Sequence, residues 1–401
     1  MRGAIERCVG SPDKFAQEVW SRGYRHFSNA NSDCYADVLT LSLIDSLIFT
    51  GGLRAPNLRL VRLGESVSRA SYTCSQTTGG LRISDAIDAH GVAREFASGA
   101  TVVLQALHRF VPSVQDFCCE LEDFFGHPLQ ANAYLTPEGA RGLGVHHDTH
   151  DVLVLQLFGT KNWRLYPQAV VDAVDGYPAS KRHPELESPE VSLTLSPGDC
   201  LYLPRGLPHD AESTAGTSLH LTLGIRSPTW LDVLGRALEK AHEIPVLRAS
   251  LPLKFASGSS EATEELALKL REVLDRTADW LRELDEQELA VSEVARQQKK
   301  ISSPRGTLAQ LAALGPIHTT TVFKRNRPTC WTLHDDSTHL LLLVGLVALK
   351  FPARIRPALE HLLTVNEVTA ERLGDYLDSA GTLVLVKRLH REGLLARIHD
   401  Y

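Results

Sequence analysis

Between Asn57 and Ile225 the chain breaks into short apolar runs of four to eight residues, separated by Gly, Pro, Asp and Ser. The runs are Leu58–Leu63, Thr101–Leu104, Ala131–Leu135, Val152–Phe158, Asn162–Tyr166, Val191–Leu195, Cys200–Leu203 and Ser218–Ile225. Many short strands with turn punctuation indicate an antiparallel sandwich or barrel. One interruption is helical: from Val111 to Phe125, residues Val114, Phe117, Cys118, Leu121 and Phe125 fall on one face. Ahead of this region, residues 1–60 mix short amphipathic pieces with polar loops, and Phe15, Val19 and Trp20 stand at helical spacing.

After Ser227-Pro228 the strands stop. Leu231 to His242 reads as helix, and Glu261 to Lys300 as a long amphipathic helix or two, with apolar residues such as Leu266, Leu270, Val273, Leu281 and Val294 among charges. That face packs on its own chain or on a second subunit, and the spacing does not distinguish these. A Pro/Gly/Arg-rich segment, Ile301 to Pro328, marks a boundary. The tail beyond it reads as strand Leu340–Leu349 and helices Ile355–Leu363, Ala370–Ser379 and Leu383–Glu392, the last stopped by Gly393. Short helices with short connections indicate a winged-helix-like module.

A chain of 401 residues with 43% hydrophobic residues has room for two or three domains. Its net charge of −6 gives no electrostatic case for wrapping nucleic acid or docking on an anionic membrane. The N-terminus meets Arg2 and Glu6 at once and has no apolar signal core, and the most apolar run, Leu340 to Leu349, is too short to span a bilayer. The seven cysteines, Cys8, Cys34, Cys74, Cys118, Cys119, Cys200 and Cys330, are scattered without metal or redox spacing. A soluble, cytoplasmic protein with reduced thiols is the expectation.

The chemistry lies in Gly142-Leu-Gly-Val-His146-His147-Asp148-Thr149-His150-Asp151, which leads into an apolar run. On a strand, residues two apart share a face, so His146, Asp148 and His150 point one way and His147 and Asp151 the other. His146 and Asp148 then supply one imidazole and one carboxylate to a single point. A third ligand follows in Gly198-Asp199-Cys-Leu-Tyr-Leu-Pro204-Arg-Gly206-Leu-Pro208-His209, where a Gly-Asp turn starts a strand and a Pro-rich corner ends it. Two histidines and one carboxylate on one side of a metal leave positions open, which non-haem Fe(II) oxygenases use for a bidentate oxo-acid and O2. His147 and His150 are left as bracing, substrate-facing or surface residues.

These pieces, taken in order, resemble the JmjC-type members of the cupin superfamily, and among them the ribosomal oxygenases. The likeness runs from about Asn57 to Ile225 and includes Gly99-Ala-Thr-Val-Val-Leu-Gln, Asn132-Ala-Tyr134-Leu-Thr-Pro, Gly159-Thr-Lys161-Asn-Trp163-Arg-Leu-Tyr166-Pro and Ser218-Leu-His220-Leu-Thr222. It implies an α+β chain with a double-stranded β-helix (jelly-roll, cupin) core and N-terminal helices. A JmjC catalytic domain would cover 1–228, a helical dimerisation region 229–305 and a small winged-helix-like domain 306–401. Lys161 matches the basic residue that holds the distal carboxylate of 2-oxoglutarate, and Asn132 and Tyr134 match polar residues of the same pocket; a dianion among apolar walls needs such a cation and donors. His220 and Thr222 face inward if alternation holds, and Trp163 and Tyr166 read as packing residues. The resemblance implies an Fe(II)- and 2-oxoglutarate-dependent hydroxylase with ligands His146, Asp148 and His209. It would release succinate and CO2 and act on an arginine- or histidine-type side chain of a ribosomal or other protein, as a homodimer with no direct nucleic-acid or membrane binding. Tailoring of a peptide natural product is the competing reaction. A non-catalytic cupin binding protein is the competing class, and intact ligands at all three positions argue against it.

Overall fold

The computed structural model describes residues 3–168, 170–178, 180–183, 186, 188–213, 215–301, 308, 312, 315–326, 331–336, 339–344 and 347–398. Thirteen strands form before residue 226. They are β1 (Arg25–Phe27), β2 (Leu58–Arg62), β3 (Glu65–Ser66), β4 (Thr73–Thr78), β5 (Leu81–Ile87), β6 (Thr101–Leu104), β7 (Leu129–Thr136), β8 (Asp151–Phe158), β9 (Lys161–Leu165), β10 (Val191–Leu195), β11 (Cys200–Leu203), β12 (His209–Glu212) and β13 (Ser218–Ile225). An eight-stranded sheet runs β1-β11-β8-β13-β7-β6-β2-β3 and a three-stranded sheet runs β10-β9-β12, all antiparallel. The two sheets make a jelly roll. β4 and β5 form a separate hairpin that the strand pattern did not announce, and the short β1 was also unforeseen.

Strand parity sorts the residues. On β13, Leu219, Leu221, Leu223 and Ile225 face the main core, together with Leu153 and Leu155 of β8 and Ala131 and Ala133 of β7. That core is closed from outside by the N-terminal segments and by helix Pro112–Phe125, whose Val114, Phe117, Cys118 and Leu121 are buried. Pro112 starts the helix where no backbone donor is needed, and Gly126 ends it at φ +65. The opposite parity faces inward between the sheets. There Val152 and Val154 of β8 and Leu201 and Leu203 of β11 meet Trp163 and Leu165 of β9 and Leu195 of β10. Polar side chains share this inner face: His220 and Thr222 on β13, and Asn132 and Tyr134 on β7. The chain passes from β8 in one sheet to β9 in the other through only Gly159 and Thr160. Gly159 has φ +59, and a Cβ there would stand 2.1 Å from the Thr217 carbonyl oxygen, so only glycine makes this crossing.

The expected strand carrying His146, Asp148 and His150 is not a strand. β8 begins at Asp151, and residues 142–150 are a loop that touches the sheet at one isolated bridge, His146 opposite His209. Three histidines, two glycines and a threonine before the apolar run have no partner strand along their length, so the alternation that starts at Asp151 does not extend back.

Beyond the jelly roll, helix Trp230–Glu239 is started by a capping box between Thr229 and Asp232. The region read as one long helix or two is two helices, Ser260–Glu283 and Glu286–Gln298, broken at Leu284 and Asp285, with Asp285 capping the second. The tail has a second core of Phe323, Leu340, Leu342, Leu359, Leu385 and Leu389, among others. Its strands are β14 (Phe323–Arg325), β15 (Thr332–Asp336), β16 (His339–Val344), β17 (Val347–Pro352), β18 (Glu367–Val368) and β19 (Leu395–Arg397). The run read as one strand, Leu340–Leu349, is two, β16 and β17 paired antiparallel, because an apolar hairpin has no polar break to show its turn. The helix read at Ala370–Ser379 is a single 3-10 turn, Glu371–Leu373, and the following helix starts early, at Ser379, where Asp378 caps it. Parts of the Ile301–Pro328 boundary, and Cys330, lie outside the described residues.

Candidate metal centre

His209 opens β12, directly after the turn Pro204–Pro208. Two backbone hydrogen bonds join it to the 142–150 loop: His146 N–H donates to the His209 carbonyl (3.1 Å), and His209 N–H donates to the His146 carbonyl (2.8 Å). A third ties the two loops, from Gly206 N–H to the Asp148 carbonyl (2.9 Å). The backbone thus brings His146, Asp148 and His209 together, and their ligand atoms all lie within 4.8 Å of one another. His209 Nε2 stands 3.8 Å from Asp148 Oδ2.

The rings are set for a metal. His146 Nδ1 lies 2.8 Å from the Gly144 carbonyl oxygen, and His209 Nδ1 lies 3.0 Å from that of Leu207. A carbonyl only accepts, so each ring carries its proton on Nδ1 and turns the Nε2 lone pair inward. Burial, then the neighbouring His146, pushes the His209 pKa down to about 4. Burial acts to raise the Asp148 pKa, but the His209 and His146 imidazoles outweigh it and hold the carboxyl below its usual range. A neutral His209 beside an ionised Asp148 carboxylate suits a cation. The donor set fits a divalent transition metal with open positions.

Asp210, next to His209, is not a rival ligand. It is buried, accepts two bonds from Arg164 (3.0 and 2.8 Å) and one from Tyr166 Oη (3.2 Å), and pairs with Arg141. His147 points away from the cluster. It is fully buried, its Nδ1 is 2.8 Å from His183 Nε2, and its N–H donates to the Lys181 carbonyl. With His183 N–H donating to the Val145 carbonyl, the 181–183 segment laces down the loop that carries His146.

The cluster opens into a cavity of about 250 Å³, which Asn132, Tyr134 and Lys161 also line. All six residues singled out in the sequence therefore meet in one place. Lys161 begins β9 and is 3% exposed. Its Nζ donates to Thr136 Oγ1 (2.8 Å) and to His220 Nδ1 (3.4 Å), and among the described residues no carboxylate pairs with it. Burial alone pushes its pKa down to about 7. His220 stacks on Tyr134 (4.8 Å, 3°) and meets Trp163 edge-on (5.5 Å), and burial, then Lys161, holds it well below its usual pKa. Asn132 Oδ1 accepts from Ala106 N–H (3.0 Å).

Some residues in or directly behind the cavity wall went unread in the sequence. Thr136 holds Lys161, and the alternation Asn132, Tyr134, Thr136 on one strand face was the signal for it. Trp163, read as packing, is buried but also lies beside His209 (5.8 Å between rings) in the cavity wall. Arg59 on β2 enters the same wall from far away in sequence, and nothing local marks it.

Residues 104–233 match the family model of the JmjC domain. The bifunctional lysine-specific demethylase and histidyl-hydroxylase NO66 of Dictyostelium discoideum is 38% identical over 155 residues, covering 38% of this chain and 30% of that one. Ribosomal oxygenase 2 of Mus musculus is 34% identical over 190 residues, covering 45% of this chain and 40% of that one. The chain thus spans less than half the length of either curated relative. The X-ray structure of E. coli ycfD superposes with a TM-score of 0.52 at 15% identity, over 97% of this chain and 98% of that one, a likeness of fold. Residues 104–233 thus carry a JmjC domain, and the matched part of the chain is similar in sequence to ribosomal oxygenases.

Proposed function

We propose that the protein is an Fe(II)- and 2-oxoglutarate-dependent oxygenase that hydroxylates an amino-acid side chain, of arginine or histidine type, in a ribosomal or other protein. The observation that carries this reading is a two-histidine, one-carboxylate cluster sharing one small cavity with a buried lysine that pairs with no anion among the described residues. His146, Asp148 and His209 hold the iron. Lys161, with Thr136 behind it, takes the distal carboxylate of 2-oxoglutarate, and Asn132 and Tyr134 line its bed. A buried cation is costly alone and favourable opposite an anion, so the site is built for a ligand that brings negative charge. With iron and 2-oxoglutarate bound, the centre supplies oxidising power from O2, with 2-oxoglutarate converted to succinate and CO2 and one oxygen atom delivered to a substrate C–H bond. The chain's part is to hold the ligand tautomers, neutralise the co-substrate and keep the inner end of the cavity dry. The names of the two relatives, a ribosomal oxygenase and a histidyl-hydroxylase, support the substrate class.

The same reading divides the chain into a catalytic domain (1–228), a helical dimerisation region (229–305) and a winged-helix-like domain (306–401). Trp230, Leu231, Leu234 and Leu238 are all exposed on helix Trp230–Glu239, and helix Ser260–Glu283 buries none of its residues although Leu268, Leu270 and Leu274 are apolar. Two apolar faces without cover in one chain support a homodimer. The six described cysteines are free thiols, which supports a cytoplasmic setting, and no described helix is long and apolar enough to cross a membrane. The test is mass spectrometry of ribosomal proteins from strains with and without the gene. Loss of a one-oxygen mass increase on a single side chain is expected, and an unchanged set of ribosomal proteins would reject this substrate class.

A further inference from the structure

His147 stands between the ligands His146 and Asp148, so whatever fixes its side chain fixes the backbone that carries both. That backbone bonds alternately to two neighbours. On one side His146 and Asp148 bond to His209 and Gly206. On the other side His183 N–H donates to the Val145 carbonyl (3.0 Å), and His147 N–H donates to the Lys181 carbonyl (3.0 Å). The first neighbour is anchored, because His209 opens β12 and β12 pairs with β9. The second is not. Residues 181–183 form no strand and lie in the connection between β9 and β10, so two backbone bonds alone join them to the ligand loop.

The side chains supply the missing anchor. The His147 ring is fully buried, and Nδ1 lies 2.8 Å from His183 Nε2, across 36 residues of sequence. Its Nε2 is buried without a partner, so His183 is the one hydrogen-bonding partner of that ring among the described residues. The His183 ring is buried too, and the two rings stand 5.1 Å apart at 40°. Neither ring lines the metal cavity. An apolar side chain would fill this place with no partner at all, so burial alone does not account for two histidines here. Without His183 both nitrogens of His147 would be buried and unpaired, and the ring would turn toward water. Turning it rotates the peptide units on either side, which carry His146 and Asp148. We propose that His183 is a positioning residue for the metal centre: through the His147 ring it holds the backbone at the angle at which His146 and Asp148 converge with His209. The inference rests on the metal-binding part of the proposed function and on no other part of it.

The test titrates Co(II) into the full-length protein and reads the dissociation constant and the visible d–d bands. His183→Phe keeps a ring without a nitrogen, and His183→Gln keeps a group that donates or accepts, so together they separate the hydrogen bond from bulk. Outer partners of metal ligands typically change affinity about tenfold to a hundredfold, and His183→Phe should weaken Co(II) binding by that much and displace the bands. His183→Gln should recover part of the affinity and the wild-type bands. His147→Phe should match His183→Phe, and the double variant should be no weaker than either. Circular dichroism of the metal-free proteins identifies those that are folded at the titration temperature; if His183→Phe is not, His147→Phe is read by the same criteria. A merely structural role would lower the metal-free Tm and leave the Co(II) constant and bands unchanged. That result in the folded variant, or a His183→Gln protein no better than His183→Phe, would overturn the inference. If the wild type binds Co(II) no better than His209→Ala does, the metal assignment itself fails and takes this inference with it.

Discussion

Lys161 is the residue on which the co-substrate assignment turns, and its burial makes two outcomes computable. Removing it as Lys161→Ala should raise the 2-oxoglutarate requirement about tenfold to a hundredfold, since a hydrogen bond to a charged group contributes about 1.5–3 kcal/mol. The maximal rate should change far less, and steady-state succinate formation separates the two. The second outcome is a pH dependence. Burial lowers the ligand-free lysine to about 7, and only its protonated form pairs with a carboxylate. Affinity for 2-oxoglutarate should therefore be flat below that pH and fall by up to about tenfold per pH unit above it. Calorimetric titration from about pH 6 to about pH 9 checks this, and Lys161→Arg, which stays protonated, should flatten the profile. At this scale the metal cluster was legible because its chemistry-bearing residues crowd into two short segments. Thr136 and Arg59 were not, because each matters only through what the strand register places opposite it.

The elements show how a loop delivers ligands as accurately as a strand. Strand alternation assigned His146 and Asp148 to one side and His147 to the other. The structure reaches the same arrangement without a strand there, through two hydrogen bonds between His146 and His209 and a third from Gly206. Gly206 has φ +83, and a Cβ there would stand 1.9 Å from the Val170 carbonyl oxygen. Gly206→Ala should cost on the order of 1–3 kcal/mol of stability from the backbone alone, and more from the clash. Because the same turn carries His209, the variant should also lose Fe(II) affinity at temperatures where it remains folded. Thermal melts with and without metal measure both effects: a metal-dependent increase in Tm as large in Gly206→Ala as in the wild type would contradict the argument. Eight of the jelly-roll strands were readable from sequence to within a residue or two as apolar runs between turn residues, whereas β1, β3, β4, β5 and β12 carry too few apolar residues to stand out. The apolar hairpin of β16 and β17 hid its turn, and the 3-10 turn at Glu371–Leu373 carries helix-like spacing over too few residues to tell the two apart.

On the scale of the whole molecule, the jelly roll presents its ligands inward and the helical region presents apolar faces outward. Ion pairs Arg236–Glu293 (2.7 Å) and Lys240–Glu288 (3.2 Å) tie helix Trp230–Glu239 and its C-cap to helix Glu286–Gln298, with Leu234 and Leu238 about half exposed. Light scattering should report a dimer, and Leu234→Glu with Leu238→Glu should give a folded monomer; a wild-type monomer would end the assignment of residues 229–305. The amphipathic period announced those faces, but not whether they pack on the same chain, since periodicity says that a face is apolar and not what meets it. The central claim is narrower than the assembly and is met most directly by one spectrum. Fe(II) added to the protein without oxygen, then titrated with 2-oxoglutarate, should give a weak visible metal-to-ligand charge-transfer band that saturates at one equivalent per chain. The band should be absent from His209→Ala. No band in the wild-type protein, or an unchanged band in His209→Ala, would contradict the account.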